Sequence, residues 1–244
     1  EEAGKAVRVV GREYLRDEIL SQDGVAVVET SHGVLTDRVA GFHPHTSAIR
    51  TLPRFTRQLF DDAGYDGELV NIGVTRAYAI RHGAGPIPTA DPSMSDHLLP
   101  GSNKGDNRYQ GKVRVGALDF VLLRYALEVC GGPSAFDGLA ISWFDQIQRN
   151  GSWNVCTRYG GADDPAYFSP SGEIRLPSDF SFEHQQTLGQ RLLDCRPEVT
   201  TLPIDSDAGN DASYRVCADV FEKQLGVPVR MVSFGPTELD KLCK

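Results

Sequence analysis

Two short stretches of the sequence combine a turn-forming loop with positively charged side chains. In Arg76–Thr89, a predicted strand runs into the loop His82-Gly83-Ala84-Gly85-Pro86. Glycine lets a ligand approach the backbone closely, and proline restricts the loop. In Gln110–Asp119, Lys112 and Arg114 precede a predicted helix. Arginine binds carboxylates well through its planar fork, so the second stretch suits an anionic substrate. A solvated, charged strand edge is the alternative.

A second group of candidate binding residues stands where two predicted strands end. Trp143 and Asp145 close one strand, and Ser233 and Gly235 close another. Ligands of α/β proteins bind at the carboxyl ends of parallel strands. Asp145 could accept hydrogen bonds from paired N–H donors such as those of guanine, and Trp143 could stack on a base. Alternatively, Trp143 packs in the core and Asp145 caps a helix.

Three histidines occur in Gly- and Pro-rich surroundings near the start of the chain. His32 follows a predicted strand, and His43 and His45 are two residues apart. No third ligand follows at a suitable spacing, so we predict no metal site. The hydroxyl of Thr46 suits a phosphate, although capping of the next segment explains it equally well.

Composition limits the classes of function. The 244 residues carry a net charge of -8, which argues against a general nucleic-acid binder. No apolar run approaches the roughly 20 residues of a membrane span. The five cysteines are odd in number and widely spaced, which predicts reduced, mostly buried thiols in a cytoplasmic protein. The sequence has no GxxxxGK[ST], GxGxxG or GxSxG motif.

Periodicity and turn signals predict alternating strands and helices. The predicted helices are 5–20, 54–63, 118–129, 183–193 and 211–224, the predicted strands are 25–29, 69–80, 138–144, 153–159, 198–204 and 227–234, and the long loops are 30–53, 82–116 and 160–182. This pattern favours a single α/β domain over residues 1–244, with a mostly parallel central sheet flanked by helices.

Taken together, the motifs resemble the adenylosuccinate synthetase family. The family run TRVGxGPFPTE resembles Thr75–Thr89, and its loop TGRxRRxGWLD resembles Gln110–Asp119 with one residue fewer here. The family's LTKLD resembles Ile141–Asp145. Further matches are LRYA with 123–126, VCxxY with 155–159, EGAQGxxLD…YPYVTSS with 29–37 and 43–47, and SxGP with 233–236. Their order is preserved over nearly the whole chain.

The resemblance implies a P-loop-NTPase-like fold and a ligase that joins L-aspartate to the 6-position of a purine nucleoside monophosphate. A nucleoside triphosphate, GTP or ATP, phosphorylates the 6-oxygen with the help of Mg²⁺, and the aspartate amine then displaces phosphate. The resemblance also implies a cytoplasmic homodimer that binds neither nucleic acid nor membrane.

The resemblance also implies roles for particular residues. Lys112 and Arg114 would hold the aspartate carboxylates, Thr46 would contact the 5′-phosphate, and His82-Gly83 would lie near the ribose. His32 stands where the family has a glutamine close to the purine 6-oxygen. The base of the triphosphate donor would bind near Trp143, Asp145, Ser233 and Gly235.

The departures from the family pattern bear on the substrate. Histidine at 32, lysine at 112 and tryptophan at 143 resemble the viral branch that makes 2-aminoadenylosuccinate from a guanine nucleotide, typically with an adenine nucleotide as donor. We favour this branch over an enzyme that uses IMP.

Two features of the family are not found in the 244 residues. One is the GDEGKGK phosphate loop, which carries the catalytic Asp, and the other is the later catalytic His. We therefore expect that the chain is a C-terminal portion of such an enzyme and holds none of the family's catalytic residues. We also expect it to bind nucleotides weakly and to show no turnover. A nucleotide-binding module without catalysis is the alternative.

Overall fold

The computed structural model describes residues 7–11, 13–99 and 105–244. Within these ranges the strands are β1 Ile72–Arg76, β2 Ala79–Arg81, β3 Arg114–Gly116, β4 Leu118–Asp119, β5 Gly138–Ser142, β6 Ser152–Gly160, β7 Arg196–Pro203, β8 Val229–Ser233 and β9 Lys241–Cys243. The α-helices are α1 Pro53–Asp62, α2 Pro92–Leu98, α3 Phe120–Val129, α4 Phe144–Asn150, α5 Phe182–Asp194 and α6 Asn210–Leu225.

The largest sheet has the strand order β1-β5-β8-β9. The first three strands are parallel, and β9 is antiparallel to β8. The apolar run Leu139-Ala140-Ile141 of β5 is buried, as expected for a central parallel strand that is covered on both faces. The predicted α/β fold with a mostly parallel central sheet is confirmed. The parallel register also brings Ser142 and Ser233 to the same edge of the sheet.

Two smaller sheets complete the strand pairing. Strands β2 and β3 form an antiparallel pair, and β6 lies between β4 and β7. The pairing of β6 with β7 is antiparallel and runs from Ser152 opposite Pro203 to Gly160 opposite Arg196. A simple alternation of strands and helices therefore describes only the large sheet.

Helix α3 lies between the two hydrophobic clusters of the core. The predicted apolar face, which includes Val121, Leu122 and Tyr125, packs in one cluster. Phe120 and Leu127 face the other cluster, where Phe120 meets Phe221 of α6 with 5.4 Å between ring centroids. A helix that is apolar nearly all round is a buried one.

Three predictions from local pattern were wrong or incomplete. The predicted loop 82–116 contains α2 and β3; α2 begins after Asp91, whose carboxylate accepts from the N–H of Ser93, with Pro92 in the first turn. The predicted helix 5–20 is helical only in its later part, with a π-helical segment at Leu15–Leu20. Residues 7–11 are irregular, and residues 1–6 and 12 lie outside the described ranges.

The strand predicted at 25–29 was wrong. The segment pairs with no strand in the described part of the chain, and Val25 and Val27 are 91% and 86% exposed. A short apolar run indicates a strand only if a neighbouring strand receives it. Strand β1, at the edge of the large sheet, also has exposed side chains, including Val74, which is 76% exposed.

The predicted free and mostly buried thiols are found. All five cysteines are free, and Cys156, Cys195 and Cys217 are buried. Burial raises the pKa of the Cys195 thiol to about 11 and that of Cys156 to about 12, so both stay protonated at neutral pH. In the described ranges, the helices are too short or too polar to cross a membrane.

Candidate functional site

A cleft of about 420 Å³ brings together three segments that are far apart in sequence. One wall is the loop of His43, Pro44 and His45, and another is the loop Ala84–Pro86 with Arg114. Helix α5 closes the cleft with Gln186, Gly189, Gln190 and Leu193. Both loops contain residues that were predicted from the sequence to contact a ligand, whereas the helix contains none.

Strand pairing places two arginines side by side, and one of them, Arg114, lines this cleft. In the β2–β3 pair, Arg81 lies directly opposite Arg114, and Ile80 lies opposite Val115. Like charges in opposite positions destabilise a sheet, so this pairing needs compensation. Neither arginine forms an ion pair with a carboxylate among the described residues.

Backbone carbonyls hold both guanidinium groups in place. Arg81 donates from Nε to the carbonyl of Ala84 and from Nη2 to that of His45, each at 2.8 Å. Arg114 donates from Nη2 to the carbonyls of Gly83 and Gly85, also at 2.8 Å each. These bonds orient the guanidinium groups without neutralising their charge. The result is a preorganised site for an anion.

The local pKa shifts reflect the same concentration of positive charge. Burial, and after it the neighbouring Arg114, lower the pKa of Arg81 to about 10. Burial also lowers the pKa of Arg114. The pKa of His45 is lowered by burial, then by Arg81 and Arg114. An anion in the cleft would favour the charged form of all three groups.

Asp37 organises the loop that carries His45 and Thr46. Its buried carboxylate accepts from the backbone N–H of Val39, Ala40 and Thr51 at 2.9, 3.0 and 2.7 Å. Burial alone would raise the pKa of Asp37, but these three hydrogen bonds and nearby Arg50 keep it below its ordinary value. The loop is therefore tied at both ends to one ionised carboxylate.

A second group of polar residues lies at the carboxyl edge of the parallel sheet. Trp143 follows β5, and the guanidinium carbon of Arg76, the last residue of β1, lies 4.9 Å from the centre of its indole ring. Asp145 Oδ2 accepts from Gln146 Nε2 at 3.0 Å and from Arg149 Nη2. These residues follow β5 and β1, which are neighbours in the sheet.

The end of β8 contributes Ser233 to this edge. Its hydroxyl donates to the carbonyl of Gly235 at 3.0 Å and accepts from Lys241 Nζ at 2.8 Å. A side chain at 235 would collide with Asp240, since a Cβ there would lie 2.6 Å from the carboxyl carbon. A larger residue at 235 would therefore require the Asp240 side chain to shift.

Two predicted site residues have strained backbones. His32 and Trp143 have φ angles of 70° and 64°, and they are the only residues other than glycine with positive φ in the described ranges. Such strain costs about 1–3 kcal/mol per residue and clusters at functional sites. This observation supports a functional role for both positions.

Comparison with known proteins identifies the family. A family model described as adenylosuccinate synthetase matches residues 4–241. The chain belongs to this family. It is 26% identical over 231 residues to the adenylosuccinate synthetase of Wolbachia pipientis wMel, covering 92% of this chain and 49% of the relative. The synthetase of Thermoplasma volcanium is 26% identical over 234 residues, with 91% and 49% covered. The chain spans about half the length of these relatives.

Solved structures agree on the fold. The fully ligated adenylosuccinate synthetase from Plasmodium falciparum matches with a TM-score of 0.66 and 16% identity, covering 88% of this chain and 49% of that one. Succinoaminodeoxyadenylate synthetase of cyanophage S-2L, bound to dGMP and to dATP as an energy donor, matches with a TM-score of 0.54 and 14% identity, covering 100% and 53%. The predicted adenylosuccinate synthetase fold is thereby confirmed.

The structure brings together only some of the residues that the family resemblance places in contact with substrate. Arg114 lines the cleft, and Gly83 is hydrogen-bonded to it. Thr46 is half-buried beside His45. Lys112, His82 and His32 are exposed and do not line the cleft. Lys112 lies before β3 and is not part of the strand. The strand alternation that would point its side chain the same way as that of Arg114 therefore does not extend to Lys112. All of these substrate roles stay predictions.

Helix capping distinguishes two of the carboxylates near these sites. Asp119 caps α3, because its carboxylate accepts from the N–H of Val121 and Leu122 at 3.1 Å. Asp145 does not cap α4; it lies in the first turn and pairs with Arg149 instead.

Sequence reasoning missed several residues of the site: Arg81, Arg76, Asp37, Arg149, Gln186 and Gln190. Of these residues, Arg81 could have been predicted most easily, because it lies within the family-like run Thr75–Thr89. Gln186 and Gln190 had no signal, since α5 is distant in sequence from both loops.

The described residues offer no preformed metal cage. No group of three or more His, Cys, Asp or Glu side chains in these ranges is arranged to hold a metal ion. Magnesium commonly binds through substrate phosphates and one or two carboxylates, so we derive no step through a protein-held metal.

Proposed function

We propose that this chain contributes the substrate sites of a purine nucleotide ligase, which joins L-aspartate to the 6-position of a 6-oxopurine nucleotide at the expense of a nucleoside triphosphate. The observation that carries the proposal is the pair Arg81 and Arg114, which lie opposite each other without a carboxylate partner among the described residues. Such an arrangement suits an anionic substrate, and family membership supplies the substrate class.

In this proposal the two polar regions bind different reactants. Arg114, with its Nη2 already held by Gly83 and Gly85, offers its remaining N–H groups to an aspartate carboxylate. The base of the triphosphate lies at the sheet edge near Asp145 and Ser233. Arg76 and Arg81 are five residues apart in sequence, so the Cα atoms of these two residues lie within about 18 Å of each other. Catalysis would rest on positioning and on stabilisation of developing negative charge.

We favour dGMP or GMP as the substrate and an adenine nucleotide as the donor, with IMP and GTP as the second pair. The departures from the family pattern at His32 and Trp143 support this choice. The triphosphate would enter as its Mg²⁺ complex. We further propose a cytoplasmic homodimer.

A coupled phosphate-release assay on the product of the complete open reading frame tests the proposal. It contains L-aspartate and Mg²⁺ and is crossed over IMP, dGMP, GTP and ATP, with Arg114→Met as the site variant. Arg158→Met is the control, because Arg158 forms an exposed ion pair with Glu198. Release with dGMP and ATP, lost in Arg114→Met alone, supports the viral branch. Release with IMP and GTP supports an ordinary adenylosuccinate synthetase.

The second candidate is a nucleotide-binding module without catalysis. A folded protein that binds nucleotide but releases no phosphate in any combination would decide for this candidate.

A further inference from the structure

We propose that Arg149 and Gln146 determine the base preference of the nucleotide site by occupying one oxygen of Asp145, so that the site accepts adenine rather than guanine. The inference rests on the proposed function, since it assumes that the base of the triphosphate binds at Asp145. It adds two residues that sequence reasoning did not consider.

The hydrogen bonds of Asp145 are one-sided. Oδ2 accepts from Gln146 Nε2 and Arg149 Nη2, whereas Oδ1 accepts no hydrogen bond from the described residues. Arg149 also donates from Nε to the backbone carbonyl of Asp145 at 3.3 Å, so its guanidinium is held along the first turns of α4. The Asp145 side chain is 20% exposed, and a ligand can therefore reach it.

The two purines present different groups to such a carboxylate. The Watson–Crick edge of guanine has two neighbouring donors, N1–H and the 2-amino group, and these pair with both oxygens of a free carboxylate. Adenine has a donor, the 6-amino group, beside an acceptor, N1. Because Oδ2 is already occupied, the site offers one free acceptor next to guanidinium and amide donors. This pattern matches adenine, with its amino group on Oδ1 and an N–H of Arg149 or Gln146 on N1.

Guanine would have to displace the arginine. Arg149 is 67% exposed, so it can move away from Asp145, but the base would then exclude water from a carboxylate that had lost its partner. On the adjacent side of Asp145, Arg76 covers one face of the Trp143 indole, and the Tyr78 ring lies 5.8 Å from it.

Isothermal titration of the 244-residue chain with Mg²⁺-ATP and Mg²⁺-GTP tests the inference. The wild type is compared with Arg149→Met, the double variant Arg149→Met/Gln146→Leu, and Arg158→Met as an exposed-arginine control. We expect the wild type to prefer ATP. The double variant should shift the ATP:GTP affinity ratio toward GTP by roughly tenfold, the discrimination of one paired base contact. The control should keep the wild-type ratio.

The outcomes separate this inference from the proposed function. A wild type that prefers GTP, or a ratio unchanged in both Arg149 variants, overturns the inference and leaves the ligase intact. Binding of both nucleotides that is unaffected by Asp145→Asn also overturns it, because the base then binds elsewhere. A folded wild type that binds neither nucleotide overturns both. Circular dichroism of each variant confirms folding.

Discussion

Asp119 couples the cap of the central helix to pH, and its substitution makes a sharp test of the structure. The carboxylate is 3% exposed, caps α3 and accepts from the hydroxyl of Tyr159. Burial raises its pKa to about 6 from an ordinary value of 3.8, although the hydrogen bonds from Tyr159, Leu122 and Val121 oppose the rise. We therefore expect Asp119→Asn, which keeps the cap but cannot ionise, to remove a pH-dependent cost from the fold.

The sign and size follow from linkage. A carboxyl whose pKa is higher in the folded state holds its proton longer there, so stability is highest at low pH and falls as pH rises from about 4 to 6. The interval between 3.8 and about 6 corresponds to about 3 kcal/mol. Of this, about 2 kcal/mol should appear between pH 4.5 and 7.

Urea unfolding of the wild type and Asp119→Asn between pH 4.5 and 7 measures the effect. The free energy of unfolding of the wild type should fall relative to the variant as pH rises, because all other titrating groups are shared. Tyr159→Phe is the companion variant: it leaves Oδ2 without its side-chain donor and should steepen the fall. A wild-type advantage that is flat, or that grows with pH, would refute this reasoning.

Three further predictions concern the cleft, its loop and the thiols. Arg114→Met should weaken L-aspartate binding by about tenfold or more, the loss of one charge-assisted hydrogen bond, as measured by calorimetry against Arg158→Met; equal affinities would contradict the anion site. Asp37→Ala should lower the free energy of unfolding by about 3 kcal/mol, because three backbone N–H groups lose their acceptor, whereas the exposed Asp66→Ala should stay within about 0.5 kcal/mol. A thiol reagent should modify Cys243 rapidly in the native protein and the buried Cys156, Cys195 and Cys217 only after unfolding; fast modification of several thiols would argue against the core described above.

Much of the fold was predictable where local signals agree. Helix α1 begins at Pro53, α3 follows the capping residue Asp119, and α5 follows Ser181, whose hydroxyl accepts from the N–H of His184. The prediction failed where composition hides a short element, as in α2 within a Gly- and Pro-rich stretch. The family was recognisable because motif order survives even when each motif is degraded.

The candidate site was predictable only in outline. Both loops of the cleft were marked from Gly, Pro and cationic residues, but Lys112 and His32 were expected near ligands and lie exposed outside the cleft. Residues on α5 were missed, since nothing in Gln186 or Gln190 distinguishes them from other polar residues of an amphipathic helix.

The sequence by itself determined the periodic helices, the buried strand β5, the reduced thiols and the family, because each depends on residue type and short-range spacing. Tertiary structure alone decided that Arg81 lies opposite Arg114 and that 25–29 has no strand partner in the described ranges. It also decided that Arg149 forms an ion pair with Asp145. The physical reason is that strand register, charge pairing and burial depend on which segments, distant in sequence, come into contact. The local sequence pattern carries no information about those contacts.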